Sequence, residues 1–145
     1  MEEPIIQNSF RLLENRVSSL SFRLNQNELK REEKIGKSGQ ITIDVNHSAG
    51  FNNNSKFFKI TFKVSVKSEA ALNLALEHDS FFEAKEIITE EFKQSSFTTQ
   101  NAPAIAFPYV RSFISLLTLN AGLPPLMLPT YNFTGKVEKK AKSDL

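Results

Sequence analysis

Residues 101–133 read NAPAIAFPYVRSFISLLTLNAGLPPLMLPTYNF, and five of the six prolines of the chain fall among them. A proline-free apolar run lies between Pro108 and Gly122. Pro108 fits the first turn of a helix, where a missing N–H costs nothing, and Gly122 fits the left-handed position just past its end. Val110, Phe113, Ile114, Leu117 and Ala121 fall at i, i+3, i+4, i+7 and i+11, one helical face. Leu116 and Leu119 lie off that stripe, so the helix has two apolar faces to hide. It is central to a domain or shared with another subunit. After Gly122, three prolines forbid regular structure, yet Leu123, Leu126, Met127, Leu128, Tyr131 and Phe133 keep the segment apolar. Such a strip takes an extended or polyproline-like path and covers or lines an apolar surface.

Upstream, residues 57–67 give the clearest strand. Phe58, Ile60, Phe62, Val64 and Val66 alternate with Lys59, Thr61, Lys63, Ser65 and Lys67. One dry face and one wet face is the pattern of an antiparallel sheet. Ile41, Ile43 and Val45 alternate with Thr42, Asp44 and Asn46, and the turn-rich 46–55 (NHSAGFNNNS) reads as the tip of a hairpin. Leu20, Phe22 and Leu24 alternate with Ser19, Ser21 and Arg23, giving an earlier strand. Residues 4–16 form a lead-in without assigned structure, and the charged 25–40 a loop. Beyond Ser68, the alternation of Leu72, Leu74 and Leu76 with Asn73, Ala75 and Glu77 outweighs the helix propensity of leucine and alanine and predicts a fourth strand. Residues 81–97 read as a short helix or an ordered connection. Strands followed by a helix predict an α+β domain, the helix lying on one face of a meandering or Greek-key sheet. The domain spans 1–135, and the lysine-rich 136–145 reads as a basic, flexible tail.

The chain has 145 residues, enough to bury roughly two-thirds of its unfolded surface in one core. It has no cysteine, which excludes a disulfide scaffold, a thiolate zinc site and a cysteine nucleophile. The start, MEEPIIQNSF, carries acids where a signal peptide needs positive charge, and no apolar stretch approaches the ~18 residues of a membrane span. A cytoplasmic protein without stable membrane insertion is expected. Thirteen phenylalanines with no tryptophan and two tyrosines is the unusual feature of the composition. Phenylalanine supplies apolar area without a polar handle, which suits cores and unselective contact surfaces.

Little here suggests covalent chemistry. His47 and His78 lie in a hairpin tip and at a strand end, with only Asp44, Glu77 and Asp79 near in sequence. Adjacent strand residues point to opposite faces, so Glu77 and His78 should not converge on a substrate. No phosphate-cradling glycine loop, Gly-x-Ser-x-Gly elbow or HExxH is present. Neither an enzyme, nor a metal site, nor a cofactor is expected. Lys59, Lys63 and Lys67 could meet nucleic-acid phosphates, but the net charge is only +2 and the phenylalanines of that strand face the other way. Nucleic acid is therefore not expected as a partner; a nucleic-acid-binding sheet module is the least favoured alternative.

The combination of Ala102-Pro103, Phe107-Pro108-Tyr109-Val110-Arg111, an apolar helix, a glycine, Leu126-Met127-Leu128-Pro129 and Asn132-Phe133 resembles the SecB protein-export chaperone family. Val110 replaces the alanine of that family's helix start, and the exit follows its pattern loosely in spacing. The resemblance implies a non-enzymatic, ATP-independent holding chaperone for unfolded preproteins, built on a four-stranded antiparallel Greek-key sheet with a long apolar helix on one face. It implies a dimer of dimers with the helix at the seam, so Val110, Phe113, Leu116, Leu117 and Leu119 are the interface candidates. It places clients in apolar grooves beside the proline-rich strip, with Phe81, Phe82, Phe107, Leu126, Leu128, Tyr131 and Phe133 as lining candidates.

Two features depart from the family. Its members are acidic and dock the SecA export motor through an acidic sheet face, whereas this chain has a pI near 8.9. Glu77 and Asp79 are the remaining acidic candidates for such docking. The final family helix is expected to be missing or very short here. A dedicated SecB-like chaperone for an antitoxin or another single client is the alternative that best fits the basic charge.

Overall fold

The computed structural model describes residues 10–24, 41–68 and 72–133, together with the backbone of 141–144. Four long strands, β1 (Phe10–Leu24), β2 (Ile41–Phe51), β3 (Phe57–Ser68) and β4 (Leu72–Ala84), precede a short helix α1 (Glu90–Lys93) and a long helix α2 (Ala102–Asn120). A short fifth strand, β5 (Ala141–Asp144), completes an antiparallel sheet in the order β1-β4-β3-β2-β5. Strands β2, β3 and β4 are consecutive neighbours, and β1 lies beside β4, so the four long strands form a Greek key.

Strand β3 follows its alternation without a break: Phe58, Ile60, Phe62, Val64 and Val66 are buried, and Lys59, Lys63 and Lys67 are exposed. Its neighbours take their register from it. Ile43 and Val45 of β2, and Leu74 and Leu76 of β4, stand opposite Val66 and Val64 on the same dry face. Tertiary pairing thus carries Leu72–Ala84 as strand despite its leucines and alanines.

The strands run further than their patterns show. Strand β1 begins at Phe10, inside the stretch read as a lead-in, because register shifts between Leu12 and Glu14 and between Val17 and Ser19 break the period of two. Phe10, Leu12, Asn15, Val17, Leu20, Phe22 and Leu24 stand opposite the inward-facing residues of β4, and no single alternation connects them. Strand β2 continues through the expected hairpin tip to Phe51, which pairs with Phe58. The turn shrinks to residues 52–56, where Asn54 takes a positive φ of 55°. Strand β4 continues past Glu77 to Ala84, its signal interrupted by the inward-facing His78 and Ser80.

The long helix starts earlier than predicted. Pro103, not Pro108, occupies its first turn, and Pro108 sits inside it. A helical proline leaves the carbonyl four residues back without its partner. Both Ala104 and Pro108 are exposed, so water can satisfy that carbonyl. One π-helical turn at Phe97–Asn101 leads into the helix, with the Ala102 N–H bonded to the Phe97 carbonyl. The end is as predicted. Gly122 has φ 93°, its N–H reaches Leu119 O at 3.1 Å, and Leu123 N–H reaches Thr118 O at 3.0 Å. This is a Schellman stop.

By length and composition, Glu90–Asn120 is apolar enough to cross a membrane, contrary to the sequence expectation. One face of α2, however, packs Ala102, Ala106, Phe107, Val110 and Ile114 into the core over the sheet. Beyond residue 133, the stretch read as a tail contributes β5, which pairs Thr42–Val45 with Ala141–Asp144. It lies where the family resemblance places a final helix. Edge backbone groups on β2 recruit these residues, and so short and polar a strand has no periodicity to announce it.

Candidate client-binding and assembly surfaces

The proline-rich strip 123–133 is fixed to α2 by side chains of the helix. Thr118 Oγ1 accepts from the Leu126 N–H at 2.8 Å and donates to Ile114 O at 2.9 Å. Arg111 Nε donates to Leu128 O at 3.1 Å, and Ser115 Oγ donates to Met127 Sδ at 3.4 Å. Prolines cannot supply a ladder of N–H donors, so these helix groups set the path of the strip. Leu126 and Leu128 turn into the core, while Met127 between them is 60 % exposed.

Past Leu128 the strip enters an aromatic cluster. Ring centroids of Phe107 and Tyr131 lie 5.3 Å apart, and those of Phe107 and Phe133 5.8 Å. His47 sits 5.4 Å from both Phe62 and Phe133. Burial lowers the pKa of His47, keeping the ring neutral and compatible with an apolar surface. Burial, and then the charge of Asp44, raises that of Tyr131, whose hydroxyl has no hydrogen-bond partner among the described residues. A second cluster joins Phe10, Phe51, Phe58, Phe82, Phe92 and Phe97 at the other end of the core.

The outward side of α2 is also apolar. Ile105, Tyr109, Leu116 and Leu119 are exposed, the last two by more than half, and with Ser112 they follow i, i+4, i+7, i+11 and i+14. That is a continuous stripe of the kind that packs against another helix. Among the described residues no group of three or more His, Cys, Asp or Glu gathers to hold a metal ion.

A fold of this topology, with a proline-flanked apolar helix over its inner face, can be compared with known proteins. The family model described as "Preprotein translocase subunit SecB" matches residues 5–143. The chain belongs to the SecB family. Among its relatives, an uncharacterized protein of Methanocaldococcus jannaschii is 32 % identical over 126 residues, covering 82 % of this chain and 76 % of that one. The protein-export protein SecB of Ehrlichia ruminantium is 30 % identical over 131 residues, covering 87 % and 68 %. Among solved structures, the SecB-like chaperone of Mycobacterium tuberculosis, in complex with a ChAD peptide from the HigA1 antitoxin, shares the fold with a TM-score of 0.64. The identity there is 14 %, with 86 % of this chain and 88 % of that one covered.

In this SecB-family chain the seven groove candidates do not form one surface. Tyr131 and Phe133 are half-buried and adjoin each other through Phe107. Phe107, Leu126 and Leu128 lie beneath them as core, and Phe82 is fully buried in the second cluster. Phe81 is on the opposite face of the sheet, with the Arg16 guanidinium 5.4 Å above its ring. Strand alternation makes the separation of Phe81 and Phe82 unavoidable. Met127 and His47 were missed. Met127 falls between two buried leucines, and His47 stands opposite Phe62 across the β2–β3 ladder, which places it on the dry face.

The interface candidates divide similarly. Leu116 and Leu119 are exposed, Phe113 and Leu117 are half-buried beside the core, and Val110 is 0 % exposed. Val110 faces its own sheet and cannot meet another subunit. Ile105 and Tyr109 take its place in the exposed stripe, as the i, i+4, i+7 spacing could have shown. Of the docking candidates, Asp79 is only 7 % exposed, accepts from Thr61 Oγ1 and lies 3.8 Å from Lys59 Nζ. Glu77 is half-buried on that outer face, and His78 points inward, its Nδ1 without a hydrogen-bond partner among the described residues. The two do not converge, as their adjacency predicts.

Proposed function

We propose that this protein is a holding chaperone that keeps unfolded or extended polypeptides soluble without ATP, with preproteins destined for export as the client class. SecB is a family of chaperones rather than enzymes, and that sets the frame. The observation that carries the reading is apolar surface left over after the core is complete. Ile105, Tyr109, Leu116 and Leu119 stay exposed on α2, Met127 stays exposed on the strip, and Tyr131 and Phe133 are half-exposed at its end, Phe133 against His47. A single sheet has one dry face, and α2 already fills it. The helix stripe serves self-association, to a dimer of dimers. The strip and the His47–Phe133 cluster hold clients, because prolines keep them extended and Thr118 and Arg111 keep them in place. Many modest apolar contacts along an extended chain add up without sequence selectivity. This work belongs in the cytoplasm, where preproteins await export. SecA has little to engage at Asp79, which is buried and bonded.

A second reading, a dedicated chaperone for one client, is favoured by the fold shared with the antitoxin-peptide-bound mycobacterial protein. Light scattering of the pure protein, with aggregation of an unfolded preprotein followed without nucleotide, tests both. A tetramer that suppresses aggregation of several unrelated clients supports general holding. Protection confined to one client supports the second reading. A strict monomer without effect on any client defeats both.

A further inference from the structure

Charges on the outer face of the sheet separate into two halves. Toward Phe10 and Ala84 four cations have an acid beside them: Arg11 with Glu83 at 2.9 Å, Arg16 with Glu14, Lys56 with Glu83 at 3.8 Å and Lys59 with Asp79 at 3.8 Å. The other half differs. Its cross-strand rows read Asn46–Lys63–Glu77–Ser19 and Asp144–Thr42–Lys67–Asn73–Arg23, with Lys142–Asp44–Ser65–Ala75–Ser21 between them. Lys63, Lys67 and Arg23 are exposed there, and none of the three makes an ion pair among the described residues.

We propose that this half-face docks an acidic, extended protein segment. Lys63 and Lys67 are four residues apart on β3, about 13 Å, and Arg23 lies two strands from Lys67, about 10 Å. A peptide in extended conformation repeats a side chain on one face about every 7 Å, so carboxylates two repeats apart can meet Lys63 and Lys67, with Arg23 flanking its path. Between the cations, Ser21, Ser65 and Thr42 offer hydroxyl donors, and only Ala75 is apolar. The surface is built for polar contact. A hollow of about 230 Å³ beside Lys63, bordered by Ser19, Asn46, Ser65 and the acids Asp44 and Glu77, gives one uncharged side chain of the partner room to enter.

Two features favour a protein partner over a nucleic acid. Asp44 and Glu77 border the same hollow, and they oppose a polymer with a charge on every unit while a peptide with spaced acids steps past them. No aromatic ring lies on this half-face among the described residues; Phe57 and Phe81, the rings of the outer face, are at the other end. Base stacking has no platform here. The half-face is also on the far side of the sheet from the strip and the α2 stripe, so a docked acidic segment and a held client can coexist.

Fluorescence anisotropy with a labelled alternating Glu-Ser peptide tests the proposal, with a Lys-Ser peptide and oligo-deoxythymidylate as controls. Saturable binding of the Glu-Ser peptide, weakening with salt, is expected. Binding should fall by roughly tenfold or more in the R23E/K63E/K67E protein, and by less in K63Q/K67Q. Circular dichroism confirms that each variant is folded, and suppression of client aggregation should stay at the wild-type level. No saturable binding, equal binding by the charge-reversed protein, or tighter binding of the oligonucleotide overturns the proposal. The peptide assay does not depend on the aggregation assay, so failure of the holding function would leave this test intact.

Discussion

Thr118 Oγ1 lies 2.8 Å from the backbone nitrogen of Leu126, and this bond joins the interior of α2 to the strip that follows it. Thr118 is fully buried, so the Leu126 N–H has no water to replace the hydroxyl. Thr118→Val keeps the shape and removes the acceptor. It should lower stability by about 1–3 kcal/mol in urea unfolding, and Thr118→Ser should recover part of that. Hydrogen exchange over the strip should quicken in the valine protein.

Arg111 acts on the same strip through Leu128 O. With Arg111→Ala, Leu128 loses a charge-assisted donor, and its side chain seats less firmly in the core. A fall of about 1–2 kcal/mol in stability is expected, together with altered client affinity if the strip is the holding surface. Unchanged affinity alongside a mobile strip would move the client site elsewhere.

Leu116→Lys and Val110→Lys should separate assembly from folding. Leu116 is 54 % exposed, so the charge stays in water in the protomer and is buried only in a helix-to-helix seam. The oligomer should dissociate while circular dichroism stays native. Val110 has no exposed surface, and a lysine there should unfold the protomer. An unchanged oligomer with Leu116→Lys would rule the stripe out as the seam.

Acid should weaken the fold through its histidines. Burial lowers the folded-state pKa of both His47 and His78, with Asp79 partly opposing the shift at His78. The unfolded chain then binds more protons below the ordinary value of 6.5, so stability holds above that pH and falls as the pH drops toward the lowered folded values. His78→Leu should flatten the profile of unfolding midpoint against pH between about 5 and 7. A profile unchanged by this substitution would remove His78 as a source of the acid sensitivity.

Gly122→Ala places a Cβ at φ 93°, where nothing clashes within 4 Å but the backbone conformation itself is strained. A loss of about 1 kcal/mol is expected, measured by thermal unfolding.

The sequence determined what depends on neighbours along the chain. Alternation in Phe57–Ser68 identified a strand and its dry face, Gly122 marked the helix end, and the Phe-Pro-Tyr and Leu-Pro landmarks pointed to the SecB family. Tertiary structure decided what depends on partners far away. Only pairing with β4 shows that Phe10–Leu24 is one strand, because two register shifts erase its period. The helix starts at Ala102 because Pro108 can be carried on a solvent face, which local sequence does not reveal. Burial of Leu126 and Leu128 follows from hydrogen bonds made by Thr118 and Arg111 across a turn. A local pattern records propensity, whereas burial is settled by the surface that each side chain meets after folding. That is why the strip was legible as apolar, while the division between its core residues and its exposed ones was not.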